Sequence, residues 1–287
     1  MNKYSKYIWS AVVTAFTFGF TTAVLANGLY TTPPVPIESP YFNGPYVGIG
    51  VGMVHSHVDA NADGSYEVSL EPPQGPINGY YYYSKSHNFD MGKYGFNGNI
   101  FVGYGKTFES SPSYYLGGEL FGNYFSPKLK GSSYSSDTTM YDSSYTMSIN
   151  TEVKNSYSIG GDIRAGYLVT PRTMIYALFG VNYARFKVKS EFVFNPSYIG
   201  APGPAQVSND FSKLKLGYMP GVGMEMALAD HVSLRTQYTY AFYSSLSNTV
   251  TKEIPQPIGG GVGHATLKTK VKPSRGLFTV KLSYLFN

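Results

Sequence analysis

The chain of 287 residues contains no cysteine, which excludes a disulfide-stapled scaffold and a thiolate metal centre. Charge is scarce. Only 14% of residues are Asp, Glu, Lys or Arg, against about 25% in an ordinary soluble domain. After residue 26 there is no apolar run of the ~18 residues that a membrane-crossing helix needs, so a multi-span helical transporter is excluded; the mean hydropathy of −0.16 agrees. Lysine and arginine form no dense cluster along the chain, and the net charge of +5 falls to +3 without Lys3 and Lys6. That is too little for a nucleic-acid interface, and no nucleic-acid partner is expected. What is plentiful is tyrosine, with 28 residues, and glycine, with 32. Aromatics at 16% exclude a disordered chain.

The N-terminus reads as an address. Lys3 and Lys6 make a basic region, residues 8–20 are mostly apolar, and Val24 and Ala26 place small residues at −3 and −1 of a cleavage site. Residues 1–26 are therefore expected to be a secretory signal peptide. No cysteine follows the cleavage site, so a lipoprotein is excluded. Residues 27–44 contain Pro33, Pro34, Pro36 and Pro40, which favour an extended arm.

From Pro45 the pattern has period two. Val47, Ile49, Val51 and Met53 alternate with Gly48, Gly50 and Gly52. Similar segments centre on 99–104, 114–124, 157–167, 175–183, 214–226, 232–242 and 278–286. Eight such segments, each about as long as the ~9–11 residues that a membrane-crossing strand needs, are an even number, as a closed antiparallel barrel requires. Closure is obligatory, because an open sheet edge cannot exist in lipid. The connections alternate in length. Tight turns fall near 109–112, 170–172 and 229–231, and long loops are expected at 57–93, 127–151, 189–210 and 245–268. The expected fold is thus all-β: an eight-stranded antiparallel up-and-down transmembrane β-barrel over 45–287, with four long extracellular loops and both termini periplasmic. Tyr114, Tyr124, Tyr157, Tyr167, Tyr238, Tyr240 and Tyr284 fall near segment ends, where aromatic girdles form. Pro220 interrupts the sixth segment, and a bulge or a later membrane entry is expected there.

The last segment, with Phe278, Val280, Leu282, Tyr284 and Phe286 alternating, resembles the outer-membrane β-signal. Residues 221–240, GVGMEMALADHVSLRTQYTY, resemble the penultimate hairpin of the OmpA-like and opacity-protein barrels. The resemblance implies a bacterial outer-membrane location and recognition of the C-terminal strand by the barrel-assembly machinery. Asn287 departs from the pattern, since an aromatic residue ordinarily ends the chain. No cell-wall-binding domain follows the barrel, so no such tether is implied.

With the apolar face in lipid, Glu119, Asp162, Arg164, Glu225, Arg235 and Lys281 point into the lumen. Three acids and three bases in an interior just wide enough for side chains are expected to pair and plug it; a gate within a narrow channel is the alternative. The long loops are rich in tyrosine and serine, with Tyr80, Tyr81, Tyr82, Tyr83, Tyr134, Tyr141 and Tyr145 as a candidate contact surface. This composition suits adaptable recognition of a host or environmental macromolecule; hydrophilic shielding within lipopolysaccharide is the alternative. Outer-membrane lipid and lipopolysaccharide are the expected surroundings, and the chain is expected to be a monomer.

An enzyme is not expected. His87 and His264 fall in long loops and His231 in a short turn, and no nucleophile elbow or phosphate loop occurs. His55 and His57 share a strand face, but two ligands without a nearby third do not make a metal site. No catalytic, cofactor or metal residue is assigned. Three roles remain: a structural or surface-interaction barrel, a small channel for ions or apolar solutes, or an outer-membrane enzyme.

Overall fold

The computed structural model describes residues 40–70, 79–108, 113–138, 144–197, 204–255 and 262–286. The expected signal peptide, residues 27–39 of the arm and Asn287 lie outside them. No described helix is long and apolar enough to cross a membrane.

The described residues form eleven strands: β1 (Gly44–Leu70), β2 (Gly79–Phe108), β3 (Tyr114–Phe125), β4 (Lys128–Thr138), β5 (Ser144–Lys154), β6 (Tyr157–Thr170), β7 (Thr173–Ser197), β8 (Ala205–Ala229), β9 (Val232–Tyr243), β10 (Leu246–Pro255) and β11 (Val262–Leu285). They make eight passes, because three passes are each broken by two residues: 126–127, 155–156 and 244–245. Every pairing is antiparallel. The ladders run β1–β2–β3–β6–β7–β8–β9–β11, and β11 pairs back onto β1 from Leu285 opposite Tyr46 to Gly263 opposite Val68. The sheet therefore closes on itself.

Along each pass the two faces exchange chemistry partway. On β1 the outward residues are first Val47, Ile49, Val51 and Met53, then His55, His57, Asp59, Asn61 and Asp63. The inward residues are first Gly48, Gly50 and Gly52, then Val58, Ala60, Ala62, Tyr66 and Val68. Apolar outside suits lipid, and apolar inside suits water, so the switch marks where the strand leaves the bilayer. The height of the lipid-facing band follows from two tyrosine pairs. Tyr114 is the direct partner of Tyr167, and ten residues further on Tyr124 is the direct partner of Tyr157. Ten residues at about 3.3 Å each, tilted by about 40°, span roughly 25 Å, the height of the apolar band in such barrels.

This exchange corrects the expected long loops. Most of 57–93, 127–151, 189–210 and 245–268 is strand, and the longest segment left between β1 and β2 is 71–78. Polar residues on the outward face look like loop composition, although the backbone continues its ladder. His87 and His264 accordingly lie on β2 and β11 rather than in loops.

Beyond the band the ring divides into two four-stranded sheets. One is β2–β1–β11–β10 and the other is β4–β5–β7–β8. No ladder joins β2 to β4 or β8 to β10. The inner faces pack together in one apolar core that includes Val58, Ala62, Leu267 and Val271 from the first sheet and Ile149, Val188, Phe192 and Phe194 from the second. Phe194 lies against Tyr66 and Tyr83, with ring centroids 5.1 and 4.6 Å away. Gly64 leaves the space that the Phe192 ring occupies, and a Cβ there would collide with it. This head is a β-sandwich built from strands that continue out of the membrane.

At the opposite end, the short turns 170–172 and 229–231 and the start of the described chain come together. Phe42 is buried against Tyr115, with ring centroids 6.5 Å apart. The Thr107 amide and hydroxyl both donate to Asn43 Oδ1 at 2.6 Å. Gly44, with φ of 113°, turns the chain into β1, a conformation that side chains disfavour. Pro220 does not cause the expected bulge. The registers of β8 with β7 and β9 are the same on either side of it, with Met219 and Pro220 dropping out of the β9 ladder; the register shift in that ladder lies away from it, between Ala227 and Ala229. Its missing N–H costs one gap without displacing the strand.

Replacing Ile149 by Ala should destabilise the head by about 2–5 kcal/mol, the usual cost of a large-to-small change in a packed core. The check is limited proteolysis of the folded protein. Cleavage in the 128–154 hairpin should appear while the membrane-embedded part stays resistant to detergent unfolding.

Candidate functional site

The barrel interior within the lipid-facing band is built around Arg164 and Arg235. Period two on β6 and β9 turns both inward. Glu225 is the direct partner of Arg235 on the adjacent strand, and Arg235 is in turn the direct partner of Lys281. The structure brings five of the six sequence-chosen residues into ion pairs. Arg235 Nη1 lies 2.5 Å from Glu119 Oε2, and its Nε lies 3.0 Å from Glu225 Oε2. Arg164 Nη1 lies 3.1 Å from the same Glu225 oxygen. Lys281 Nζ lies 2.7 Å from Glu119 Oε1. Asp162 is the exception: it is buried directly opposite Glu119, makes no ion pair among the described residues, and leaves Oδ1 without a hydrogen bond.

Several members of this cluster escape sequence reasoning. Arg164 donates to the hydroxyls of Tyr46 and Tyr115, the latter at 2.9 Å. Ser233 Oγ donates to Glu225 Oε1 at 2.6 Å. The Phe101 ring lies under both Arg235 and Lys281, 5.0 and 4.6 Å from its centroid. The available signal was the inward glycines. A Cβ at Gly48 would strike Phe101, and one at Gly105 or Gly117 would strike Tyr115. Inward glycine is thus the space for a ring, from the adjacent strand at Gly48 and Gly105 and from two residues earlier on the same strand at Gly117. Arg275 is a further buried cation that the sequence did not single out. It lies over the Phe125 ring at 3.6 Å and donates to Asn155 Oδ1 at 2.8 Å.

Above the ion cluster, between Asn99, Asp162, Thr239 and Lys281, remains a cavity of about 10 Å³, about enough for one water. The apolar core of the head follows beyond it.

The outer surface has a larger feature. The gap between β2 and β4 is a cleft of about 690 Å³. Phe89, Met91 and Leu129 form its floor, and Lys93, Lys128 and Lys130 stand around its base. Further along, Lys85 crosses from β2 to donate to the Met147 carbonyl at 3.1 Å; partial burial pushes its ammonium below the ordinary lysine pKa. The gap between β8 and β10 is instead closed by side chains. Asn209 and Asn248 bond across it at 3.0 and 2.8 Å, and Lys213 donates to the Ser247 carbonyl at 2.6 Å.

The tyrosines of the candidate contact surface divide. Tyr82 and Tyr134 are 55% and 69% exposed, on the two strands that border the open cleft. Tyr83 and Tyr145 instead pack against the head core, 5.2 Å from each other, because the strand continues and its pleat turns them inward. The side chains of Tyr80, Tyr81 and Tyr141 lie outside the described residues. Phe278, Val280, Leu282, Tyr284 and Phe286 all face outward along the strand that closes the ring.

A closed antiparallel sheet with an apolar girdle outside and charges inside defines a β-barrel that spans a membrane. The chain belongs to the outer membrane protein beta-barrel domain family, whose pattern it matches over residues 14–286. No curated protein sequence matches it. Among solved structures it is similar to the attachment invasion locus protein Ail of Yersinia pestis, crystallised in complex with the heparin analogue sucrose octasulfate, at 10% identity over 80% of this chain and 99% of that one, with a TM-score of 0.27. It is also similar to OprG of Pseudomonas aeruginosa, at 12% identity over 87% and 100% of the two chains, with a TM-score of 0.35. Neisserial surface protein A gives 12% identity, 83% and 97% coverage, and a TM-score of 0.25. The protein is thus an outer-membrane β-barrel.

Replacing Glu225 by Gln removes the carboxylate that Arg164, Arg235 and Ser233 share. Leaving buried charge unpaired should cost on the order of 3–5 kcal/mol, read as a lower urea midpoint for the refolded protein in lipid vesicles. Asp162→Asn breaks no ion pair and should shift the midpoint far less.

Proposed function

We propose that this protein is a non-enzymatic surface-interaction barrel. Its lumen is plugged, and its head binds an extended segment of a host or environmental macromolecule in the cleft between β2 and β4. The cleft itself carries the reading. Both bordering strands lack a ladder neighbour there, and strand addition uses such free edges. Exposed Tyr82 and Tyr134 supply rigid amphipathic contacts farther along the same two strands, and lysines at the base of the cleft favour an acidic ligand.

In this reading the head faces outward, and the short turns and both termini are periplasmic. A row of lysines supports that orientation. Lys128, Lys154 and Lys187 are direct partners across β4, β5 and β7, just beyond Tyr124 and Tyr157. Like charges in direct opposition destabilise a sheet. The phosphates of lipopolysaccharide, the expected lipid on that side, would neutralise them; Glu152 already meets Lys128 at 2.8 Å. The outward aromatic and aliphatic residues of β11 remain the proposed signal for the barrel-assembly machinery, and the protein acts as a monomer.

Two measurements test the function. The Tyr82→Ser, Tyr134→Ser double variant should fold normally yet weaken adhesion of cells displaying the protein to host-cell monolayers; undiminished adhesion would count against the cleft. In planar bilayers the wild-type protein should give no large, steady openings. Sustained conductance, abolished or altered by Glu119→Gln, would favour the channel reading instead.

A further inference from the structure

The outward face of the β1–β2 ribbon, just beyond the apolar band, carries a cluster that borders the cleft described above through Asn88, Asp90 and Gly92 and has a chemistry of its own. Period two puts His55, His57, Asp59, Asn61 and Asp63 on this face of β1. Their direct partners on β2 are Tyr94, Gly92, Asp90, Asn88 and Ser86. Most of these pairs satisfy each other. The His55 ring lies 4.5 Å from that of Tyr94, Asn61 donates to Asn88 at 2.8 Å, and Ser86 donates to Asp63.

Asp59 opposite Asp90 is the exception. Two carboxylates face each other directly, a pairing that costs stability. On its other side Asp59 has Lys272 of β11 as its partner in register, but no ion pair joins them among the described residues. What stands between the carboxylates is His57. Its Nε2 lies 3.3 Å from Asp59 Oδ1, and its Nδ1 lies 3.3 Å from Asp90 Oδ1. Glycine at position 92, opposite His57, puts no side chain between the imidazole and Asp90.

One ligand atom from each of His57, Asp59 and Asp90 can be chosen so that all three lie within 4.8 Å of one another. We propose that these three residues hold a divalent transition-metal cation of the zinc class on the outer surface of the head. An imidazole with two carboxylates suits zinc, cobalt or nickel, whereas calcium and magnesium prefer oxygen alone. A cation there converts the opposed aspartates from a repulsive pair into a shared ligand set. It also clips β1 to β2 where the strands leave the membrane. Three protein ligands leave a position open to water or to an external anion. Period two along β1 already sets Asp59 beside His57, whereas Asp90 reaches the site only through the β1–β2 register. His55 is committed to Tyr94 and is not part of the set.

The test uses the full-length mature protein, folded in detergent micelles and purified without a histidine tag. Titration with Zn²⁺ by calorimetry, and with Co²⁺ by visible absorption, should give one cation per chain. His57→Gln and Asp90→Asn should each weaken binding by at least about tenfold, while His264→Gln leaves it unchanged. Excess Mg²⁺ should not displace the bound cation. Each variant is compared with wild type by the mobility difference between heated and unheated samples, so that misfolding is recognised. His57 acting only as a bridge between the two carboxylates predicts no uptake by the folded wild-type protein. That result, or stoichiometric binding that survives both substitutions, would overturn the proposal.

Discussion

The ladder between β1 and β11 is the contact on which the rest depends. In hydrocarbon an unpaired backbone N–H or C=O has no water to turn to, so eight passes can cross only as a ring. Twenty-three residues of β1 have a partner on β11, from Tyr46 to Val68. Once the ring is shut, alternation divides every pass into a lipid face and a lumen face. The scarcity of charge and the abundance of glycine both follow from that division. Charge is kept out of the lipid face, and glycine is placed where an interior only eight strands wide must admit Tyr46, Phe101, Tyr115 and Tyr176.

The ring requirement ends where the lipid ends. In water, a sheet edge can be solvated, and the closed ring opens into two sheets. The interior changes with it. Inside the membrane the lumen is filled by Glu119, Arg164, Glu225, Arg235 and Lys281, which are held by one another rather than by solvent. Inside the head it is filled by Ile149, Phe192, Phe194 and Leu267, held by the ordinary hydrophobic effect. One continuous strand such as β1 thus takes part in an inside-out protein and in a conventional one, without a change of pleat.

The barrel was legible in the sequence because lipid enforces strict alternation over each crossing, and because the short turns at 170–172 and 229–231 punctuate it. The ion cluster was legible for a related reason: a charge inside an otherwise apolar repeat has only the lumen to enter. The head was not. His55 to Asp63 is polar at every second position, and the intervening Val58, Ala60 and Ala62 are small, so the stretch resembles a loop unless the inward face is followed by itself. The same error placed Tyr83 and Tyr145 on a contact surface, when continuing the pleat turns them into the core. Cross-strand register, which single-chain periodicity does not carry, was needed to bring Asp90 to His57 and to set Lys154 between Lys128 and Lys187.

Five passes, β1, β2, β7, β8 and β11, run from the short-turn end to the far tips without a break. Their mechanical consequence is distinct from their chemistry. A pull on the tip of the head acts along these strands, so the ladder bonds are strained in shear, many at once, and are not unzipped one by one. The force passes directly into the ring, which is seated in the bilayer and tied across its lumen by Arg235 and Arg164. A protein of this build transmits tension from the far ends of these described strands to the membrane through continuous backbone.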